Sequence, residues 1–135
     1  MKNATILQQA LIIAEYLSNY TYDPEATLEV NFTETDPLTW FIQNKRGDSL
    51  LFATLFTMLA RLNNVPCRIV VGFLPGATTG NTSIVRAGDL YAWVEIYIPG
   101  EGWIPLDPAN QVEINYPNIT FILTAEKARE ILRKA

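Results

Sequence analysis

The chain has 135 residues, 49% hydrophobic and 18% charged, enough apolar material for the core of one domain and too little length for two. Ten basic against fourteen acidic residues leave a net charge of -4, with no Lys/Arg run to neutralise phosphates, so nucleic acid is excluded as an expected partner. One cysteine rules out an internal disulfide framework and a cysteine-ligated zinc, and the absence of histidine removes every imidazole base and every histidine-held metal. No cofactor or metal is expected.

Leu7, Ala10, Leu11, Ala14 and Leu17 recur at steps of three and four and predict an amphipathic helix from about Ala4 to Asn19. Gln8, Gln9 and Glu15 interrupt its apolar run, which therefore falls short of the ~18 to 20 residues of a membrane span and lacks the features of a signal peptide. Tyr20 to Thr35 loses the period and holds Pro24; it reads as an irregular connection with a short strand at Leu28 to Phe32. Asp36-Pro37 supplies an N-cap followed by proline, opening a short helix to about Gln43 that stops before Gly47. Asp48 or Ser49 caps the next helix, in which Leu51, Phe52, Leu55, Phe56, Met58, Leu59 and Leu62 cover most of the circumference, the mark of a central buried helix.

Asn63, Asn64 and Pro66 end that helix, and Cys67 to Leu74 is a β-branched run suited to an interior strand. Pro75 to Asn81 reads as a loop. Ile84 to Arg86, Leu90 to Ile98 and Trp103 to Leu106 are predicted strands, the last two joined through Pro99-Gly100-Glu101-Gly102. A further strand at Thr120 to Leu123 and a C-terminal helix capped by Thr124 complete the reading. The expected class is α+β, helices packed on a mostly antiparallel sheet, as a single domain over residues 1–135 that is open to being an excerpt of a longer protein.

Three separated segments carry a resemblance: Lys45-Arg46-Gly47-Asp48-Ser49 opening an apolar helix, Leu90-Tyr91-Ala92-Trp93-Val94-Glu95 on a strand, and Gly102-Trp103 with Leu106-Asp107-Pro108. Between them, Asn64 to Phe73 looks like the strand that follows the nucleophile helix of the same family. Together they resemble the transglutaminase-like core of the papain-like transglutaminase/peptidase superfamily, over about Tyr22 to Ala109. The resemblance implies a cysteine nucleophile where Ser49 stands, a histidine where Tyr91 stands and an aspartate at Asp107. Only the aspartate matches, so Ser49, Tyr91 and Asp107 are expected to be degenerate triad positions with no active catalytic residue among them. A thiolate at a helix N-terminus is favoured by the helix dipole and an adjacent imidazolium, whereas serine without a base is a weak nucleophile and a phenol of pKa about 10 stays protonated at neutral pH.

Simpler roles compete at each position. Helix capping accounts for Asp48 and Ser49, strand packing for Tyr91, and a phenolic hydrogen bond for Asp107. Cys67, inside a strand, reads as a small buried hydrophobe, and Trp40, Trp93 and Trp103 as core. The Arg46-Gly47-Asp48 string belongs to the family-like turn, and as an adhesion motif it carries almost no specificity. Sequons stand at Asn3, Asn19, Asn31, Asn81 and Asn118, where ten asparagines and sixteen Ser/Thr lead one to expect about 1.2 by chance; the excess favours an exported domain, with Asn81 expected on the surface.

The expected function is a catalytically inactive transglutaminase-like module that binds or supports, placed extracellularly or held at a membrane through a parent protein. Its expected partner is an extended peptide or cell-surface polymer. The alternative is a residual amidase, peptidase or protein-modifying enzyme using Ser49 or a base from a partner chain. An engineered loss of both groups in a once-active enzyme is the least supported reading.

Overall fold

The computed structural model describes residues 2–31, 33–73, 78–79, 82–83 and 90–111. In chain order these form helix α1 (Lys2–Leu17), strand β1 (Thr21–Tyr22), a 3-10 turn (Ala26–Glu29), α2 (Pro37–Asn44), β2 (Arg46–Gly47), α3 (Ser49–Leu62), β3 (Cys67–Phe73), the two-residue strands β4 (Thr78–Thr79) and β5 (Thr82–Ser83), β6 (Leu90–Ile98) and β7 (Gly102–Leu106). Helices come first and an antiparallel sheet follows, the expected α+β order.

The main sheet runs β3-β6-β7, antiparallel throughout, with Cys67 opposite Ile96, Gly72 opposite Tyr91 and Ile96 opposite Ile104. Because side chains alternate along a strand, Ala92, Val94, Ile96 and Ile98 of β6 share one face and join the core with Ile104 and Leu106 of β7. The same core takes Ala10, Leu11, Ile13 and Leu17 from α1, Phe41 from α2, and Leu51, Phe52, Leu55 and Phe56 from α3. Phe41 and Phe52 meet edge to face at 5.0 Å, and Tyr20 tilts against Phe41 at 4.8 Å, so aromatic contacts join α2, α3 and the turn that follows α1.

Several boundaries differ from expectation. The stretch expected as a strand at Leu28 to Phe32 begins as a 3-10 turn, with Leu28 82% exposed, and among the described residues no strand pairs with it. Met58 and Leu62 lie on the outer side of α3, at 48% and 76% exposure, since the sheet covers only part of the helix. Within the expected Pro75 to Asn81 loop, Thr78–Thr79 pairs antiparallel with Thr82–Ser83. The expected strands at Ile84 to Arg86 and Thr120 to Leu123, the helix after Thr124, and the sequons at Asn81 and Asn118 lie outside the described residues. The turn from β6 to β7 needs its glycines: Gly100 and Gly102 have φ of 90° and 88°, and Glu101 N–H donates to the Ile98 carbonyl at 2.9 Å.

Candidate functional site

The site is built around the corner that starts α3. Lys45 ends α2 in the left-handed conformation (φ 56°), its N–H donating to the Phe41 carbonyl at 2.7 Å, and the chain turns into β2. There it pairs in parallel with β1: Thr21 N–H donates to the Lys45 carbonyl and Asp23 N–H to the Gly47 carbonyl, both at 2.8 Å. The Arg46 guanidinium reinforces the pairing by reaching Asp23 at 3.1 Å and also Glu29, while lying 5.3 Å from the Trp40 ring centroid. A Cβ on Gly47 would stand 2.7 Å from both Leu51 Cδ1 and Phe41 Cδ1, so this step is open only to glycine without repacking.

Asp48 is the N-cap of α3, with Oδ1 accepting from Leu51 N–H at 3.0 Å. Ser49 is thus the first helical residue and not the cap, and its side chain is released for a different contact. Its Oγ accepts from the backbone N–H of Ala92 at 3.0 Å, joining the helix N-terminus to β6, and the residue is 8% exposed. Tyr91, the neighbour of Ala92 on β6, projects from the opposite face and is buried. Its hydroxyl donates to Asp107 Oδ2 at 2.7 Å. Asp107 follows β7 directly, is itself buried, and accepts two backbone N–H groups as well, from Ala109 on Oδ1 at 3.1 Å and from Gln111 on Oδ2 at 2.8 Å.

The structure therefore links the three expected site residues in a short chain: Ser49 to the backbone beside Tyr91, and Tyr91 to Asp107. Burial pushes the Tyr91 phenol well above its usual 10, and the hydrogen bond to Asp107 adds to the effect. Tyr22 is a site residue that sequence reasoning missed. Its ring lies 6.2 Å from that of Tyr91, and its phenol is raised by burial first and then by the charges of Asp107 and Asp48. Tyr22 sits in an aperiodic connection, so no pattern announces it; only the β1–β2 pairing carries it to the site.

Cys67 lies away from this cluster. It is buried at the start of β3, within 3.5 Å of the Thr57 hydroxyl, while Arg61 donates to its carbonyl at 3.2 and 3.3 Å, all near the C-terminal end of α3. Burial pushes its thiol up, which agrees with the small-hydrophobe reading. The tryptophans divide. Trp40 packs against the core, but Trp93 and Trp103 occupy the other sheet face, half-buried: Trp93 lies over Gly72, and Trp103 stacks with the Arg68 guanidinium at 3.9 Å, which in turn pairs with buried Glu95 at 2.5 Å. No group of three acidic or cysteine side chains able to hold a metal occurs among the described residues.

A buried apolar helix whose N-terminus abuts the central strand of an antiparallel sheet, with an aspartate closing the next strand, is the arrangement of a transglutaminase-like core. The family model of the transglutaminase-like superfamily matches residues 1–108, and the chain belongs to that superfamily. A protein-glutamine gamma-glutamyltransferase of Pseudomonas aeruginosa is 31% identical over 109 residues, which are 78% of this chain and 16% of that relative. Among solved structures, the ethylmercury-bound periplasmic domain of TgpA from Pseudomonas aeruginosa is similar at a TM-score of 0.60 and 27% identity, over 81% of this chain and 42% of that one. A candidate cysteine protease from Cytophaga hutchinsonii is similar at 0.55 and 26%, over 78% and 32%. The likeness to the protease agrees with the papain-like character expected of the fold. No helix among the described residues is long and apolar enough to cross a membrane.

Proposed function

We propose that this chain is a catalytically silent transglutaminase-like domain, a binding or structural module placed on the outer side of a membrane within a larger protein. The observation that carries the reading is the hydrogen bond from the Tyr91 hydroxyl to Asp107. In the family pattern the side chain at Tyr91 has to accept a proton from the nucleophile, and here it is a donor whose own proton is held by a carboxylate. A phenol raised by burial has neither the charge to favour an oxyanion at Ser49 nor the basicity to take its proton near neutral pH. The Ser49 oxygen is itself engaged by Ala92 N–H, and no histidine exists elsewhere in the chain to replace the missing base. What catalysis would use as a relay serves here as a brace between α3, β6 and the end of β7.

The placement on the outer side of a membrane draws on two supports: the sequon excess, and the likeness to a periplasmic domain. Fold and chemistry are separable, so the domain can bind an extended peptide or cell-surface polymer, the partner proposed for it, after catalysis is lost. The test is to incubate the purified protein with glutamine-containing peptides and a labelled primary amine, and separately with amide and peptide substrates. No product above the buffer blank is expected. Turnover that disappears in Ser49→Ala would overturn the silent-domain reading in favour of a residual amidase.

A further inference from the structure

The segment between the 3-10 turn and α2 carries one of the five sequons, Asn31-Phe32-Thr33, and its asparagine and its threonine are bonded to each other. Asn31 and Thr33 are both exposed. The Asn31 side chain forms an Asx turn: Oδ1 accepts from Thr33 N–H at 3.1 Å and from the Thr33 hydroxyl at 2.6 Å. The Asn31 backbone carbonyl accepts from Glu34 and Thr35 N–H at 3.1 and 3.0 Å, which closes a turn in which Asn31, Thr33 and Glu34 are exposed. A backbone N–H only donates, so the bond from Thr33 N–H identifies the oxygen side of the Asn31 amide. The nitrogen, the atom on which a glycan is built, is left outside these bonds.

The sequon at Asn19 differs. Its asparagine is exposed, but its middle residue, Tyr20, is buried at 6% exposure, and Thr21 is held by the Lys45 carbonyl. That segment is tied into the β1–β2 pairing through Thr21, whereas the Asn31 turn is held only by its own local bonds among those described. We propose that Asn31 is an N-glycosylation site, an inference that rests on the exported placement above. The donor is a lipid-linked, phosphate-activated oligosaccharide. The bond between the sugar C1 and its phosphate oxygen breaks, a C1–Nδ2 bond to Asn31 forms, one Nδ2 proton passes to a base of the transferase, and the lipid phosphate departs. A glycan at this point would project from the excursion that borders the α3 corner without displacing any buried side chain.

The test uses the full-length protein in its native host, with electron-transfer fragmentation of its peptides to locate any added sugar. Protease accessibility in intact cells reports location independently. Sugar mass is expected on Asn31, lost in Thr33→Ala and kept in Thr33→Ser, which retains both the sequon and the turn hydroxyl. An unmodified Asn31 in a protein shown to be exported would overturn this inference alone, and glycan confined to other asparagines would do the same. An unmodified Asn31 in a protein shown to be internal would overturn the exported placement with it.

Discussion

Restoring the family pair, Ser49→Cys with Tyr91→His, tests whether the backbone still holds catalytic geometry. In the single Ser49→Cys variant the new thiol occupies the first position of α3 and faces the Ala92 N–H. The helix N-terminus favours its thiolate by about 0.3 to 1 kcal/mol and a hydrogen bond to a charged acceptor by about 1.5 to 3 kcal/mol. Burial at 8% exposure opposes both, so its pKa should stay near the ~8.5 of free cysteine. If the family geometry persists, a histidine at position 91, oriented by Asp107, brings an imidazolium beside the thiolate, which lowers a pKa by about 1 to 3 units. A fall of about 1.5 units corresponds to roughly 2 kcal/mol and raises the thiolate fraction at pH 7 from about 3% to about one half. Because nucleophilicity falls as pKa falls, the informative readout is the midpoint of the iodoacetamide rate against pH and not the rate at one pH. Buried Cys67 supplies a slow background, measured in the parent protein. The smaller ring leaves a gap worth about 1 to 3 kcal/mol, so circular dichroism must first show a folded variant. A midpoint in the folded double variant equal to that of Ser49→Cys would refute the claim that the triad geometry persists.

The remaining expectations concern the brace itself. Tyr91→Phe removes one donor from a carboxylate that keeps two backbone donors and should cost about 0.5 to 1.5 kcal/mol, whereas Asp107→Ala strands the phenol and two N–H groups and should cost about 2 to 5 kcal/mol. Urea midpoints that reverse this order would contradict the role given to Asp107. Stability should also decline in alkali. Tyr91 is raised above 10 and Tyr20 is pushed up to about 12 by burial and by Tyr16, so both favour the folded state fully below pH ~10 and lose that contribution as pH rises through their folded values. The denaturation midpoint should therefore drop above pH ~10, less steeply in Tyr91→Phe, and a flat profile would refute the raised pKa values. Gly47→Ala should lose about 1 to 3 kcal/mol, read by thermal unfolding, because its methyl has to displace Leu51 and Phe41; an unchanged melting temperature would show that this corner is looser than described.

The elements legible in the sequence were those with a physical period. β6 runs from Leu90 to Ile98 as expected, since alternation, β-branching and a glycine turn all agree there. The start of α2 at Asp36-Pro37 was equally plain, because cap and proline are local signals; the Asp36 side chain accepts from Thr39 N–H at 3.0 Å. The β1–β2 pairing was not legible, as two residues in each strand carry no period and the partners lie far apart in the chain. Ser49, Tyr91 and Asp107 stand out in the sequence as candidate positions, but the bonds they make do not. Asp48 and Ser49 are equally good caps by propensity, and nothing local decides that Asp48 takes that role and leaves the serine for Ala92. Aromatic strand residues usually pack inward, which predicts Trp93 and Trp103 in the core, yet alternation with the core set Ala92, Val94 and Ile96 places them on the opposite face.

The parallel clasp of Thr21–Tyr22 on Arg46–Gly47 fixes both ends of the excursion between them at adjacent points, with Asp23, Glu29 and Phe41 as the excursion's own ties to that corner. Loop closure grows slowly with length, about 0.6 kcal/mol for each doubling, so insertions between Pro24 and Thr35 should leave the Asp48–Ser49 corner in place. Natural or designed variants of this domain are thus free to change the rim of the site by lengthening one tethered segment, and a sequence grafted there would be displayed beside the helix N-terminus without passing its own flexibility on to it.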